Sequence, residues 1–389
     1  MPIINHVAEM ADEITVWRRD LHENPELLYD VHRTAAMVAD KLRSFGCDEV
    51  VSGIGKTGVV GVIRGRNVAS GRVIGLRADM DALPIEEATN LPYASKVKGK
   101  MHACGHDGHT AMLLGAAKYL AGTRNFNGTA VVIFQPAEEG GAGGKAMVDD
   151  GMMDRWGVQE VYGMHNAPGL PIGMFSTRTG PQLAAADFFT IDIEGKGAHA
   201  AEPHKGVDTL VVGANILMAL QSIVARNVDP LKSAVITIGA FNGGHAANVI
   251  PQHVKLLGTA RSLLPDVRDL LEKRVVETAE GIAQAYGAVA RVVYERNYPV
   301  TVNHPRETAF AVKVATEIAG AGKVEANMPP IMAGEDFSFM LEARPGNMIM
   351  LGNGPTAACH HPADDFADAA IPHGVSYWAR LVETGMPAG

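Results

Sequence analysis

The chain has 389 residues, of which 47% are hydrophobic and 20% are charged, and its formal net charge at pH 7 is −9. This length favours about two or three domains, and the composition is that of a folded globular protein. The net charge gives no sign of the basic surface that binds nucleic acids or anionic membranes, and no stretch approaches the roughly 20 uninterrupted apolar residues of a membrane span. An odd number of cysteines and the absence of a signal-peptide pattern predict a cytoplasmic protein.

The first part of the chain alternates between helical and strand patterns. Apolar residues recur at helical spacing over 4–22 and 30–45, and β-branched runs predict strands over 58–63 and 73–78. The elements predicted after these are a helix over 110–120, a strand over 129–134, a helix over 144–153 and a strand over 158–164. The alternation predicts an α/β domain with a mixed central sheet, whose sites form beyond the carboxyl ends of its strands.

The middle segment has a different order of elements. The predicted elements are a strand over 187–194, a helix over 207–226, strands over 234–241 and 253–260, a helix over 264–286 and a strand over 289–298. The order βαββαβ is that of a ferredoxin-like α+β domain. Because the helix and strand alternation resumes near residue 300, we predict a discontinuous catalytic domain, 1–185 and 300–389. The inserted domain, 186–299, is predicted to serve as a lid and dimerisation domain.

Metal-ligating side chains are concentrated in the nine residues Met101-His-Ala-Cys-Gly-His-Asp-Gly-His109. A polar surface loop with scattered histidines is one interpretation, whereas buried unpaired polar groups would each cost about 2–7 kcal/mol and would need a partner such as a metal. Other polar residues fall where predicted strands end, namely Asp79, Asp81, Glu138, Glu139 and His165. Sites of α/β domains form at such positions, so the sequence predicts one common centre.

A count of ligands indicates the kind of centre. The candidate donors are Cys104, His106, Glu139, His165 and one histidine of the His360-His361 pair. Five ligands are too many for one open tetrahedral ion and suit two ions about 3.5–4 Å apart. In the adjacent pair Glu138-Glu139, one carboxylate can bind metal while its neighbour stays free as a base. Cysteine with histidine suits zinc, and carboxylate with imidazole also admits manganese, cobalt or nickel.

Several motifs, spread in order over nearly the whole chain, carry a family resemblance. They are the cluster at 101–109, Phe134-Gln-Pro-Ala-Glu-Glu-Gly140, Gly163-Met-His165, Gly195-Lys-Gly-Ala-His199, Gly334-Glu-Asp-Phe337 and His360-His-Pro362. Together they resemble the metallo-aminoacylase family, which includes hippurate hydrolases, auxin–amino-acid conjugate hydrolases and related carboxypeptidases. The resemblance is specific for the family and unspecific for the substrate.

The resemblance implies a role for each matching residue. It implies that two divalent ions per subunit are held by Cys104, His106, Glu139, His165 and His360, the last chosen over His361 because it directly precedes His-Pro. It also implies that Glu138 is the general base acting on metal-activated water. Related carboxypeptidases have a metal-binding histidine where this chain has Asp79, so Asp79 and Asp81 are expected to orient ligands instead.

Residues beside the proposed ligands are given supporting roles. His102 and His109 are expected to orient ligands or cap a helix. Cys359 is expected to pack in the interior, with a metal thiolate as the alternative.

Substrate contacts are expected mainly in the inserted domain. The resemblance implies that His199 stabilises the oxyanion, in its own or a partner subunit's site. Arg261 can grip a carboxylate bidentately and Asn248 can donate beside it, with Gly334 as a further substrate-binding position. The alternatives are a surface salt bridge for Arg261 and a turn-forming role for Asn248.

The predicted function is metal-dependent hydrolysis of N-acyl-L-amino acids, hippurate-like or N-acetylated, to a carboxylic acid and a free amino acid. The predicted partners are this small-molecule substrate and further copies of the chain, in a homodimer or homotetramer formed through the inserted domain. A dipeptidase or carboxypeptidase on the same centre is one alternative. A non-catalytic metal-binding relative is the other, and Glu138 beside a full ligand set disfavours it.

Overall fold

A computed structural model describes residues 3–389, which form two compact units. The first unit takes in the described chain up to Gly180, then Val302–Pro329 and Asp336–Gly389, and the second takes in Pro181–Thr301 and Pro330–Glu335. The boundaries predicted at 185/186 and 299/300 fall within a few residues of these limits. The short segment Pro330–Glu335, predicted in the catalytic domain, groups with the second unit instead.

The elements alternate along the chain as follows. The helices are α1 (Asn5–Glu9), α2 (Ala11–Glu23), α3 (His32–Ser44), α4 (His106–Thr123), α5 (Gly143–Asp149), α6 (Met152–Arg155), α7 (Thr209–Arg226), α8 (Pro265–Ala285), α9 (Pro305–Ala319), α10 (Phe337–Ala343) and α11 (Ile371–Gly385). The strands are β1 (Glu49–Ile54), β2 (Gly58–Arg64), β3 (Val73–Asp79), β4 (Thr129–Gln135), β5 (Glu160–Ala167), β6 (Phe175–Ser176), β7 (Gly180–Leu183), β8 (Ala185–Glu194), β9 (Ala198–His199), β10 (Ala234–Gly243), β11 (Val249–Ile250), β12 (His253–Ser262), β13 (Val289–Tyr298), β14 (Thr301–Asn303), β15 (Val324–Glu325) and β16 (Gly346–Gly352).

The first unit is built on an eight-stranded mixed sheet in the order β1-β2-β4-β3-β5-β16-β6-β15. The four central strands β4, β3, β5 and β16 run parallel to one another. Their apolar runs are buried almost throughout, because helices cover the sheet. Side chains from α2, α3, α4, α9 and α11 form one large core with the sheet, while α10 packs with α5, β5 and β16. The predicted α/β class with a mixed central sheet is confirmed.

The second unit contains a four-stranded antiparallel sheet in the order β10-β12-β8-β13. Helices α7 and α8 pack on one face of this sheet. The core between them contains Ile216 of α7, Val275 of α8, Ile191 of β8 and Leu256 of β12. The chain order of strands and helices is βαββαβ, which confirms the predicted ferredoxin-like fold.

Helix α7 is the one described helix long and apolar enough to cross a membrane by length and composition, although the sequence predicts no such span. A core helix of a soluble protein passes the same test. Val212, Ile216, Leu220 and Ile223 of α7 are buried in the core of the second unit. The helix is therefore weak evidence for a membrane segment.

A buried ion pair stabilises the second unit. Asp187 is 2% exposed and its carboxylate accepts bonds from the Arg268 guanidinium, from the Tyr294 hydroxyl at 3.1 Å and from the Asn297 amide at 3.2 Å. Replacing Arg268 by methionine would leave this carboxylate buried without its cation, at a cost of about 3 kcal/mol. We expect chemical denaturation to show that loss, whereas Arg291→Met, at an exposed pair with Glu194, should change stability by about 0.5 kcal/mol or less. Equal effects of the two substitutions would contradict this assignment.

Three helix boundaries differ from the sequence expectations. The helix expected over 4–22 is divided at Met10, and the one expected over 144–153 is divided at Gly151, which has a φ of 77°. Helix α4 begins at His106 rather than at 110, after Gly105 with a φ of 83°. The polar first turn of α4 is buried because its side chains have partners in the site below.

Candidate metal centre

The carboxyl ends of neighbouring parallel strands deliver most of the candidate residues. Asp79 ends β3, Glu138 and Glu139 follow β4, and His165 lies two residues before the end of β5. Since β4, β3 and β5 are adjacent and parallel, these ends meet at one edge of the sheet. The loop after β16 brings in His360, because β16 is the next parallel strand in that sheet.

The turn that carries the two glutamates is held in a restricted conformation. Ala137 and Ala142 have positive φ angles of 54° and 53°, which are uncommon for residues with a Cβ. Asp81 accepts hydrogen bonds from the backbone amides of Glu138 at 2.9 Å and Glu139 at 3.0 Å. This carboxylate therefore fixes the direction in which both glutamate side chains leave the turn.

The predicted ligands come together in two overlapping groups. Donor atoms of Cys104, His106 and His165 all lie within 4.8 Å of one another. Donor atoms of Cys104, Glu139 and His360 form a second such group, so the cysteine is common to both. Glu138 belongs to a further group with His106 and Glu139. Two groups that share one residue suit a pair of ions about 3.5–4 Å apart.

Hydrogen bonds fix which imidazole nitrogen is turned toward the centre. His106 Nδ1 donates to the Asp81 carbonyl at 2.7 Å, and His165 Nδ1 donates to the Asn166 carbonyl at 2.7 Å. Both rings therefore carry the proton on Nδ1 and offer Nε2 as a ligand. His165 Nε2 lies 3.4 Å from Cys104 Sγ, and His360 Nε2 lies 3.3 Å from Glu139 Oε1. His360 has a φ of 67°, a strained conformation of the kind that clusters at functional sites.

The donor set fits divalent cations. His106 Nε2 is buried and forms no hydrogen bond, and buried polar atoms rarely stay unsatisfied. The thiol of Cys104 completes a sulfur, nitrogen and oxygen set that suits zinc and related ions. These atoms together with His165 and His360 could hold two ions.

His109 has a different role from His106, although both lie on the first turn of α4. Its Nδ1 lies 2.6 Å from Asp79 Oδ1, and its Nε2 accepts from the Asn166 amide at 2.9 Å. Because both ring nitrogens are engaged, the ring orients its neighbours and has no free nitrogen for a metal. This geometry agrees with the supporting role expected from the sequence.

The charges of the centre depend on each other. Burial alone would raise the pKa of Asp79, but Arg77, His106 and His109 hold it well below its ordinary value. Burial would lower the pKa of His106, and Asp79 and Asp81 raise it well above its ordinary value instead. The hydrogen bond with Cys359, burial and the charge of Glu139 raise the pKa of the Cys104 thiol well above its usual range. A bound cation would counter this by favouring the thiolate.

Sequence reasoning missed a buried polar network under the glutamate turn. Asp336 is fully buried and accepts from Arg77 Nη2 at 3.1 Å, Gln135 Nε2 at 2.7 Å and the Gly144 amide at 2.8 Å. The Asp336 amide donates to Glu138 Oε1 at 3.4 Å. The motif Gly334-Glu-Asp-Phe337 is the available signal, although the sequence resemblance points only to its glycine as a site residue.

The position of Asp81 predicts a measurable effect on turnover. Asp81→Asn keeps the size of the side chain but points an NH₂ group at one of the two amides that the carboxylate now accepts from. Because the glutamate turn would shift, we expect kcat on an N-acyl amino acid to fall about 10–100-fold. Asp149→Asn, on the exposed side of α5, is the matched control and should keep full activity. Equal activity of the two variants would show that Asp81 does not hold the turn.

A buried histidine beside this centre predicts a pH-dependent stability. His22 Nδ1 lies 2.8 Å from Asp107 Oδ2, and its Nε2 lies 3.4 Å from Glu87 Oε1. Burial lowers the pKa of His22, but these two hydrogen bonds outweigh burial and raise the pKa to about 9. A raised pKa stabilises the folded state fully below the unfolded pKa of about 6.5, and this contribution is lost as the pH rises through 9.

We therefore expect metal-free protein to lose about 3 kcal/mol of unfolding free energy between pH 6 and pH 9 through His22. Denaturant titrations of wild type and of His22→Gln would give the unfolding free energy of each protein at both pH values. The change between the two pH values should be larger in wild type, and the excess is the contribution of His22. Identical pH dependence of the two proteins would contradict the charged state assigned to His22.

Of the predicted substrate residues, two lie side by side in the second unit. β9 pairs with β11, so that His199 opposes Val249 directly after Asn248. The Asn248 carbonyl accepts from the Ala200 amide at 3.1 Å, while His199 Nδ1 accepts from the Ala201 amide at 3.1 Å. The ring of His199 is exposed and keeps its Nε2 turned away from this bond.

Arg261 and Gly334 lie close to each other elsewhere in the same unit. Arg261 on β12 opposes Ala186 on β8, and a Cβ on Gly334 would lie 2.9 Å from the Cβ of Ala186. Within residues 3–389 Arg261 forms no salt bridge; it donates to the Thr259 hydroxyl and to the Ala260 carbonyl at 3.2 Å. Burial lowers its pKa. The surface salt bridge considered as an alternative is thus absent, and the guanidinium keeps donors for a ligand.

Comparison with known proteins adds independent evidence. Residues 75–384 match the model of peptidase family M20/M25/M40. The hippurate hydrolase of Campylobacter jejuni is 44% identical over 381 residues, which cover 98% of each chain. Thermostable carboxypeptidase 2 of Saccharolobus solfataricus is 42% identical over 353 residues, covering 90% of this chain and 88% of the relative.

A solved structure agrees with these matches. The YXEP protein of Bacillus subtilis, described as a dinuclear metal binding peptidase from the M20 family, superposes with a TM-score of 0.82. It is 35% identical and the alignment covers 97% of this chain and 99% of that one. The family resemblance seen in the motifs is therefore confirmed, and the chain belongs to the M20/M25/M40 peptidase family.

Proposed function

We propose that this protein is a dinuclear metal-dependent amidohydrolase that cleaves N-acyl-L-amino acids to a carboxylic acid and a free amino acid. The observation that carries the proposal is the pair of donor groups that share Cys104, with Glu138 beside them. The similarity to a hippurate hydrolase over 98% of both chains supports the same reaction class. Hippurate is itself an N-acyl amino acid, with a benzoyl group on glycine.

The proposed reaction assigns one step to each group. When bound, divalent ions supply Lewis-acid chemistry that polarises a carbonyl and makes water acidic near neutral pH. The Glu138 carboxylate takes a proton from the attacking water as the new C–O bond forms at the acyl carbon. The protonated Glu138 then gives this proton to the amide nitrogen as the C–N bond breaks. Asp81 and the Asp336 amide position Glu138 for both transfers.

The residues of the second unit are proposed to bind the substrate. His199 would donate to the oxyanion as its charge develops, from its own or a partner subunit. Arg261 would bind the carboxylate of the amino acid, with Asn248 as a further donor. Gly334, which lies next to Ala186, would leave room for the backbone of the substrate.

The proposal extends to the location, the oligomeric state and the metal of the protein. We propose a cytoplasmic homodimer or homotetramer assembled through the second unit, with zinc, manganese, cobalt or nickel in the centre. The donor set of thiolate, imidazole and carboxylate admits each of these metals.

A carboxypeptidase is the second candidate, because a carboxypeptidase of Saccharolobus solfataricus is 42% identical to this chain. An unblocked dipeptide carries an α-ammonium group where an N-acyl amino acid carries only an acyl group. Such a substrate would need a carboxylate at the acyl side. The sequence places none there obviously, which favours the N-acyl substrate.

A substrate panel tests the proposal. Metal-reconstituted protein would be assayed against acetyl, benzoyl and indolylacetyl amino acids and against simple dipeptides, with the metal content measured in the same samples. We expect kcat/KM for at least one N-acyl amino acid to exceed that for every dipeptide. Preference for dipeptides would favour the carboxypeptidase, and no hydrolysis with two ions bound would leave a non-catalytic relative.

A further inference from the structure

Arg18 is a fully buried arginine that the reaction proposed above does not use. It lies on α2 in Trp17-Arg-Arg-Asp-Leu-His22 and is 0% exposed. His22, one helical turn later on the same face, is also 0% exposed. A buried guanidinium is costly unless carboxylates compensate it, so its partners indicate what it is for.

The partners of Arg18 come from the two segments that supply metal ligands. Arg18 Nε lies 2.9 Å from Asp107 Oδ2, and Asp107 directly follows the proposed ligand His106. Its Nη2 donates to Asp365 Oδ1, and its Nη1 lies 3.5 Å from Asp368 Oδ1. Asp365 and Asp368 belong to the segment that follows the proposed ligand His360. One guanidinium thus joins two segments more than 250 residues apart in the chain.

Other contacts show that these two segments are packed tightly against each other. The His360 amide donates to the Ala103 carbonyl at 2.5 Å. A Cβ on Gly108 would lie 2.3 Å from the ring of Phe366, so the helix turn and the ring are in direct contact. The Tyr93 hydroxyl donates to Asp365 Oδ2 at 2.9 Å, and the Tyr93 ring lies 4.9 Å from the Arg18 guanidinium. Arg18 occupies the centre of this contact.

The donor groups explain why the distance between the 104–107 and 360–368 segments matters. His106 belongs to the first group and His360 to the second, and Cys104 is the residue that they share. A change in the distance between the 104–107 and 360–368 segments would therefore pull the two groups apart. We propose that Arg18 is a positioning residue that sets the spacing of the two metal-binding groups by joining Asp107 to Asp365 and Asp368. This inference rests on the proposed dinuclear centre.

The planar fork of an arginine is essential to this role. Its three nitrogens each lie within ion-pair distance of a different carboxylate, whereas a lysine at the same position offers one compact ammonium. Arg18→Lys therefore keeps the positive charge but removes the planar arrangement of donor nitrogens. Arg19→Lys is the matched control, because Arg19 also pairs with Asp368, at 2.8 Å, and also contacts Tyr93, at 4.4 Å, but is 47% exposed.

Cobalt(II) binding to the full chain, stripped of metal, provides a readout apart from activity. Titrations would give the number and affinity of the bound ions, and the visible and thiolate-to-cobalt bands would report the geometry at each group. We expect Arg18→Lys to bind the second cobalt at least about 10-fold more weakly than wild type, with altered bands. Arg19→Lys should match wild type in both measurements.

The outcomes separate this inference from the proposed function. Wild-type affinity and bands in folded Arg18→Lys, judged by circular dichroism, would overturn the positioning role and leave the proposed function intact. If Arg18→Lys does not fold, Asp365→Asn, which keeps Arg18 but removes a carboxylate on the His360 side, is measured instead. Weaker second-ion binding in that variant supports the role, and wild-type binding overturns it. A wild-type chain that binds no cobalt would overturn both proposals.

Discussion

Replacing Glu138 by glutamine is expected to leave the metal content unchanged and to lower kcat by about 10²–10⁴-fold. The amide has the size of the carboxylate but cannot accept a proton from water. Glu138 is 7% exposed, and the turn that carries it is fixed by backbone hydrogen bonds to Asp81, so the substitution should not disturb the surroundings. Steady-state assays would measure kcat, and elemental analysis of the same sample would measure the metal content.

Glu139→Gln is the matched control for this prediction. Glu139 shares a donor group with Cys104 and His360, so its neutral variant should lose metal as well as activity. The informative result is that Glu138→Gln keeps its metal while Glu139→Gln loses it. If Glu138→Gln retained near-normal kcat with full metal occupancy, its role as general base would be wrong.

The second large effect is expected at Cys104. Because this residue belongs to both donor groups, Cys104→Ala should lower the occupancy of both ions and bring turnover below detection. His165 and His360, by contrast, each belong to one donor group. Substitution of His165 or His360 should therefore reduce the metal content less than substitution of Cys104 does.

The other two cysteines provide controls for this prediction. Cys47 lies away from the donor groups, and Cys47→Ala should keep both metal and activity. Cys359 interacts with the Cys104 thiol but belongs to neither group, so Cys359→Ala should keep both ions. If Cys359→Ala lost metal as Cys104→Ala does, Cys359 would be a metal ligand and not a packing residue. Full occupancy in Cys104→Ala would contradict the shared role.

Most elements of the fold could be predicted because local patterns of apolar residues define them. Unbroken apolar runs gave the buried central strands, and the spacing of apolar residues gave α7 and α8 of the second unit. The order βαββαβ follows directly from these elements. Short strands such as β6, β9, β11 and β15, two residues each, could not be predicted because pairing partners, and not local sequence, define them.

The start of α4 shows a second limit of sequence reasoning. The residues 106–109 are polar and contain a glycine, so they suggest a loop. In the structure they form the buried first turn of a helix, because His106 and His109 bond to residues of β3, β5 and the loop that follows β3. Tertiary contacts there outweigh local propensity.

The sequence identifies candidate site residues where a residue type has few other uses. Cysteine and histidine next to glycine, and paired glutamates after a strand, are unusual enough to be found one by one. Asp336 and Arg18 were missed because a single buried aspartate or arginine has no pattern of its own. Their importance comes only from partners such as Gln135 and Asp107, which lie far away in the chain.

The most direct test of the central claim is a metal titration followed by activity. The metal-free chain would receive zinc or manganese in steps, and hydrolysis of a benzoyl or acetyl amino acid would be measured at each step. We predict about two bound ions per chain and turnover that appears as these positions fill. Full hydrolysis by the metal-free chain, or two bound ions without hydrolysis of any N-acyl amino acid or dipeptide, would contradict it.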